Sequence, residues 1–398
     1  MAAPPPRRQA VPTGRGPLPR PRVAGGGPPA TRRSPQSFSV RFFGAGLAAA
    51  ELMTCYLGLE IGAYHALADS GPATAAELAR RAGLDERMAR EWLEQQASAG
   101  ILQVEDPEQA PEQRRFTLPP EHAEALLDPD SPNWIAPLVV MPIGGMASVL
   151  PQLVAAYRNR EGLAPSAYGR AMRDGQANLN RGVFQHQLAG WISRHLPDIE
   201  ARLHVPGAAI TDVACGSGLS TLELARAFPL ARVHGVDLDP ASVDAARRRL
   251  AETDLGDRVS FGSGDAAGSG RGADGPGAAG AGEGSLLVCV FDALHDMSRP
   301  VEVLRACREM LAPGGAVLLM EPSVAERFTA EPDDTERFHY AVSVLHCLPV
   351  GMSDTPSAAT GTVMRPDTVR AYAREAGLEA EVIDVGHLFY RLYRLRAA

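Results

Sequence analysis

Apolar residues between positions 205 and 322 fall into short runs that alternate with helical segments. The first run ends at a Gly-rich turn after Val213, and a helix is predicted from about Leu219 to Phe228. A second apolar run ends at Asp237. Strands that alternate with helices pair in parallel, so this order predicts an α/β fold of the doubly wound, Rossmann-like class.

The Gly-rich turn and the acid after the second strand predict a nucleoside site. Gly216 and Gly218 lack a Cβ, which lets the backbone turn tightly and approach a ligand. Asp237 follows about twenty residues later, where two carboxylate oxygens can accept from a ribose diol. We therefore expect the ligand at the carboxyl ends of these two strands.

Two further observations, the residue at position 221 and the absence of lysine, limit which class of nucleotide the site can bind. A dinucleotide fingerprint needs a third glycine at position 221, which is Thr221. The chain contains no lysine, because all 39 basic residues are arginine. This excludes a Walker lysine and a lysine-linked pyridoxal phosphate, and it favours a nucleoside without a pyrophosphate.

Five segments together resemble class I S-adenosylmethionine-dependent methyltransferases. They cover about residues 205–322 in the family's order, and they read DVACGSG from Asp212, VDLD from Val236, RVSFGSGD from Arg258, LLVCVFDALHD from Leu286 and LAPGGAVLLME from Leu311. The resemblance implies a seven-stranded sheet that ends in an antiparallel hairpin. It also implies S-adenosylmethionine as the cofactor, and its donor site would use Asp212, Gly216, Gly218, Asp237, Leu238, Asp265, Ala266 and Phe291.

The N-terminal third divides into two parts. Residues 1–36 are rich in Pro, Gly and Arg, and we expect them to be a disordered extension. Residues 37–130 follow a helix, turn, helix and wing pattern. This pattern resembles the dimerisation domain of small-molecule methyltransferases, which implies a homodimer. DNA binding is the alternative, but the second helix and the wing are rich in acids, and a groove-reading helix needs a basic face.

Two segments are expected to surround the acceptor. We interpret residues 131–204 as linking helices. The domain at 205–398 carries an insertion at about 323–364, which we interpret as a lid. The Gly-rich stretch 262–284 is expected to be a flexible loop. The candidate acceptor-binding residues are Tyr168, Arg181, Phe184, His186 and Tyr340.

Composition limits the partners. Outside residues 1–41 the chain holds 31 arginines against 47 acids, a net charge of −16, which argues against nucleic acid. The five cysteines are scattered without a C-x-x-C pair, so neither a disulfide framework nor a metal site is expected, and the compartment is expected to be the cytoplasm. No apolar run approaches the ~18 residues of a membrane span.

A proton must leave an oxygen, nitrogen or activated carbon acceptor, and histidine suits that work near neutral pH. His295 and His346 are the candidate catalytic bases, and further candidates are Asp292, Asp296, Glu321 and Tyr340. The predicted function is methyl transfer to a small organic acceptor, in secondary or quinone-like metabolism. The alternatives are a non-methylating S-adenosylmethionine-binding enzyme or scaffold, such as a cyclase or hydroxylase, and a ligand-responsive DNA-binding regulator.

Overall fold

The structure is a computed structural model that describes residues 34–266 and 284–398. The predicted extension falls almost wholly, and the predicted Gly-rich loop largely, outside these residues. The chain divides into two compact units, residues 1–50 and residues 51–398. In the first unit the described residues form the start of helix α1, Pro35–Glu60, which begins at the last residue but one of the predicted extension.

The predicted winged helix is formed by short elements whose ends follow local sequence signals. Thr74 caps the helix Ala75–Ala82 in a capping box with Glu77, and Gly83 ends that helix with a φ of 70°. Asp85 caps the next helix by accepting from the Met88 N–H. The elements are α2 Ala63–Ser70, α3 Ala75–Ala82, α4 Glu86–Ser98, and the antiparallel strands β1 Gln103–Val104 and β2 Phe116–Thr117.

Short helices fill the stretch between the wing and the sheet. Two π-helical turns, Met141–Met146 and Phe184–Leu188, lie between consecutive helices of this stretch. The helices are α5 Pro120–Leu127, α6 Ala136–Val140, α7 Leu150–Asn159, α8 Gly169–Leu179, α9 Arg181–Val183, α10 Ala189–His195 and α11 Pro197–Leu203.

The sheet has seven strands in the order β5-β4-β3-β6-β7-β9-β8. Strands β3 to β7 are parallel, β9 is antiparallel to β7, and β8 is antiparallel to β9, so the predicted fold class and terminal hairpin are confirmed. The strands are β3 Ala209–Val213, β4 Arg232–Asp237, β5 Val259–Ser263, β6 Ser285–Phe291, β7 Leu311–Pro322, β8 Leu378–Ile383 and β9 Tyr390–Ala397.

Helices cover both faces of the sheet, which explains the unbroken apolar runs in its strands. Along β6 every residue is buried, with Leu287 and Cys289 in one core cluster and Val288 and Val290 in the other. The helices of this domain are α12 Leu219–Ala227, α13 Pro240–Ala251, α14 Pro300–Glu309, α15 Asp334–Val342, α16 Leu348–Gly351 and α17 Pro366–Glu375.

Two local features depart from simple helix and strand patterns. A π-helical turn at Ser343–Cys347 carries the chain from α15 directly into helix α16, Leu348–Gly351. The Pro-Gly-Gly segment at 313–315 lies within β7. Leu311 already pairs with Ser285 there, and an irregularity in the register absorbs this segment.

Two helical stretches have the length and apolar composition of a membrane span, Pro35–Glu60 and Ala136–Asn159. A search for an uninterrupted apolar run does not find these two stretches, because glycines and polar residues interrupt both. Core helices of soluble proteins pass the same test, and the second stretch is about one-third buried. The absence of a membrane partner remains a prediction.

Candidate active site

The Gly-rich turn after β3 has the backbone geometry that requires glycine. Gly216 and Gly218 have φ values of 53° and 79°, where a side chain is strained. A Cβ on Gly218 would meet the Phe261 ring at 2.6 Å, whereas a Cβ on Gly216 would have nothing within 4 Å. Gly218 is therefore needed for packing as well as conformation, while Gly216 faces open space that a ligand can use.

Asp237 lies at the end of β4, beside this turn. Its Oδ2 accepts from the Gly216 N–H at 2.8 Å, and its Oδ1 accepts from the Asp239 N–H at 2.8 Å. Burial raises the pKa of Asp237, although the backbone N–H groups oppose that shift. The carboxylate is thus held in a fixed orientation at the carboxyl edge of the sheet.

Asp212 braces the start of helix α12. Its Oδ2 accepts from the hydroxyls of Ser220 and Thr221, both at 2.6 Å. Burial raises its pKa to about 6, which the two hydroxyls oppose. Thr221, whose side chain excluded the dinucleotide fingerprint, therefore has a structural role in this turn.

Two buried polar atoms near the turn have no hydrogen-bond partner among the described residues, Asp212 Oδ1 and Ser217 Oγ. Buried polar atoms are normally paired, so unpaired ones next to the Gly-rich turn indicate a missing polar partner. The open face of Gly216, these two acceptors and the oriented Asp237 fit a nucleoside that carries an amino acid, as S-adenosylmethionine does.

The remaining donor-site candidates lie on neighbouring loops. Leu238 is 66% exposed and follows Asp237 directly. Asp265 forms an ion pair with Arg299 at 2.6 Å, so its carboxylate is already engaged. Ala266 is partly buried in the core, and the buried Phe291 ring lies 5.6 Å from the Phe184 ring.

A histidine and a glutamate pair at the same edge of the sheet, after β6 and near the end of β7. Nδ1 of His295 lies 2.7 Å from Glu321 Oε2, and Glu321 Oε1 accepts from the Leu294 N–H at 2.9 Å. Both side chains are buried. Since a carboxylate only accepts, Nδ1 donates to Glu321, and Nε2 is the ring atom that has a lone pair when the ring is neutral.

The pKa of His295 reflects two opposing effects. Burial lowers it, but the charge of Glu321, together with Cys347, outweighs burial and raises the pKa well above its usual value. Among the described residues no carboxylate pairs with His346, whose Nδ1 contacts Cys347 instead. Burial, and then the charge of His295, lower the pKa of His346 to about 3, so His346 is a weak proton acceptor. The geometry favours His295 of the two candidate bases.

Asp292 connects the edge of the sheet to the linking helices. It has a φ of 54°, a strained value for a residue other than glycine. Its Oδ2 accepts from Asn180 Nδ2 at 2.9 Å and from the Tyr390 hydroxyl at 3.2 Å. Burial raises its pKa to about 6. Sequence reasoning missed Asn180 and Tyr390 because they lie about 100 residues away in the chain.

The structure separates the predicted acceptor-binding residues into groups. Phe184 packs beside Phe291 at the edge of the sheet. Arg181 and His186 contact Asp130 instead. Arg181 donates to the Asp130 carboxylate at 2.7 Å, and His186 Nε2 lies 3.1 Å from the Asp130 carbonyl oxygen. The hydroxyl of Tyr168 donates to the Leu345 carbonyl, and Tyr340 accepts from Arg365.

Family comparisons agree with this geometry. Residues 210–315 match the model of a methyltransferase domain, and residues 48–127 match that of the Rv2258c-like winged HTH domain. A ubiquinone biosynthesis O-methyltransferase from Xanthomonas axonopodis pv. citri (strain 306) is 30% identical over 203 residues, which cover 50% of this chain and 73% of the relative.

Solved structures share the fold over most of the chain. PigF with SAH aligns with a TM-score of 0.67 and 20% identity, covering 92% of this chain and all of that one. The O-methyltransferase NcsB1, in complex with S-adenosylmethionine and 2-hydroxy-5-methyl naphthoic acid, aligns with a TM-score of 0.60 and 18% identity, covering 88% and 96%.

The Gly-rich turn, the oriented acid and the seven-stranded sheet define a class I methyltransferase fold. Together with the relatives, they establish that the chain belongs to the S-adenosylmethionine-dependent methyltransferases. The predicted cofactor and enzyme class are thereby confirmed. The roles of individual site residues, the homodimer and the cytoplasmic location remain predictions.

Proposed function

We propose that this enzyme methylates a hydroxyl oxygen of a small organic acceptor. The observation that carries the proposal is the buried His295–Glu321 pair at the carboxyl edge of the sheet. A hydroxyl must lose its proton as it is methylated, and a histidine oriented by a carboxylate is suited to take that proton. The ubiquinone biosynthesis O-methyltransferase relative supports an oxygen acceptor.

The bound cofactor supplies the electrophilic methyl group. The chain's own residues hold the donor and keep it oriented: Asp237 is positioned for the ribose hydroxyls, and Asp212 Oδ1 and Ser217 Oγ are positioned to meet polar groups near the turn. Such positioning is a large part of catalysis in a displacement reaction. Burial of the edge by the lid segment would exclude water.

His295 Nε2 is the atom proposed to receive the acceptor proton. Glu321 holds the ring through Nδ1 and stabilises the positive charge that the ring gains. The strained, half-buried Asp292 and its partners Asn180 and Tyr390 line the neighbouring part of the edge. We propose that this polar network orients the hydroxyl group of the acceptor. We propose further that the acceptor is a quinone-like or secondary metabolite.

The test is transfer of a labelled methyl group to a panel of phenolic acceptors, with calorimetric measurement of cofactor binding. We expect His295→Gln to lower turnover by roughly 10²–10⁴-fold with little change in cofactor affinity. His346→Gln, the matched histidine control, should retain turnover. Asp237→Ala should instead abolish cofactor binding.

Two outcomes would contradict the proposal. Turnover that is unchanged in His295→Gln would exclude this histidine as the base. Cofactor binding without methyl transfer to any acceptor would favour the non-methylating enzyme or scaffold.

A further inference from the structure

Three metal-ligating side chains meet between the end of the sheet and the insertion. His295 and Asp296 lie on the 3₁₀ turn after β6, and Cys347 ends the π-helical turn Ser343–Cys347. One ligand atom from each lies within 4.8 Å of the other two. His295 and Cys347 are buried, so this cluster is set inside the protein and not on its solvated surface.

The donor atoms match a thiophilic divalent cation. A thiolate, an imidazole nitrogen and a carboxylate oxygen are the ligands that Zn²⁺ takes from proteins, and three protein ligands leave a fourth position open. Bond lengths of about 2.0–2.3 Å place donor atoms of one tetrahedral ion about 3.5 Å apart. Side-chain movements of about 1 Å would bring the cluster to that geometry.

The surroundings of His295 resemble the outer shell of a metal site. A ligating histidine usually donates its other ring N–H to a carboxylate, which fixes the ring and its tautomer. Glu321 accepts from Nδ1 of His295 at 2.7 Å and is itself held by the Leu294 N–H. Nε2 is therefore the nitrogen presented to the cluster. The absence of a C-x-x-C pair concealed this group, since its members lie 51 residues apart.

We propose that His295, Asp296 and Cys347 form a Zn²⁺ site whose occupation switches off methyl transfer. As the ion binds, the Nε2 proton of the charged His295 ring and the Cys347 thiol proton go to solvent, and the ion takes the Nε2 lone pair and the thiolate. The loss of turnover rests on the proposed function, because it requires Nε2 to be the proton acceptor. Zn²⁺ binding itself does not depend on that role.

The site is tested on the metal-free full-length chain. Calorimetry with Zn²⁺ should give one site per chain, and Co²⁺ should produce thiolate-to-metal charge-transfer absorption. We expect Cys347→Ser to weaken Zn²⁺ binding at least tenfold and to remove that absorption. Cys55→Ser, a matched control at a buried cysteine in the winged-helix core, should behave as the wild type.

The inhibition is tested with the methyl-transfer assay. Zn²⁺ should inhibit the wild type, a chelator should reverse this, and the turnover of Cys347→Ser, compared with that of the same variant without metal, should be insensitive to Zn²⁺. Cys347→Ala should reproduce that result. Equal Zn²⁺ binding by wild type and Cys347→Ser would overturn the site, and undiminished turnover of the Zn²⁺-loaded wild type would overturn the inhibition. If the metal-free wild type transfers no methyl group, the proposed function has failed, while the calorimetry still decides the site.

Discussion

Three glycines in β4 and in the Gly-rich turn after β3 allow conformational strain and crowding to be separated by substitution with alanine. Gly216 has a positive φ and open space around it. Gly235 lies in β4 without a positive φ, but a Cβ there would meet the Phe261 ring at 2.7 Å and Cys215 Sγ at 2.9 Å. Gly218 combines both effects, with a φ of 79° and the ring at 2.6 Å.

The expected losses of unfolding free energy follow from these contacts. A left-handed backbone costs an alanine about 1–2 kcal/mol, and crowding in a packed core costs about 1–3 kcal/mol. We therefore expect about 1–2 kcal/mol for Gly216→Ala, about 1–3 kcal/mol for Gly235→Ala and about 2–5 kcal/mol for Gly218→Ala. Alanine also reduces the entropy of the unfolded chain, but this offset is common to all three.

Urea denaturation of the three variants measures these differences, and cofactor titration provides a second readout. Gly216→Ala should lose cofactor affinity with a small change in stability, because its Cβ enters the open side of the turn. Phe261→Leu should partly restore the stability of Gly235→Ala by removing the crowded ring. A Gly218→Ala variant as stable as Gly216→Ala would refute the packing argument.

Two further predictions concern charge and capping. Turnover should fall as pH decreases through the raised pKa of His295, since only the neutral ring accepts a proton. Glu321→Gln should move this fall in turnover to lower pH, because burial then dominates the pKa of His295. A fall at the same pH in Glu321→Gln would count against the His295–Glu321 pair. Asp239→Ala should lower the free energy of unfolding, measured in urea, by about 1 kcal/mol, because Asp239 caps α13 through the Ala241 and Ser242 N–H groups. The control is Asp244→Ala, on the exposed side of α13, which should change that free energy little.

Much of the donor half of the site could be predicted from sequence. Gly216, Gly218 and Asp237 lie on one βαβ unit, so their relation depends on about twenty residues of chain. Asp239 directly precedes Pro240, the first residue of α13, and caps that helix. These features are local, and local spacing determines which groups can meet.

The acceptor half could not be predicted in the same way. Arg181 and His186 were expected to line a pocket, yet both contact Asp130, and their roles remain predictions. The pairing of His295 with Glu321 requires that β6 and β7 lie side by side, and the Asn180–Asp292–Tyr390 network joins three separate parts of the chain. Such contacts depend on strand order and helix packing, which a single sequence does not specify residue by residue.

The sequence by itself determined the α/β class, the donor turn and the family, because strand–helix periodicity and glycine spacing act over short distances. The tertiary structure decided which histidine has a carboxylate partner, which acid braces the turn, and that a cysteine 51 residues away joins His295 and Asp296. The physical reason is that burial and neighbouring charge control proton affinity and ligand chemistry, and both arise only when distant segments pack together.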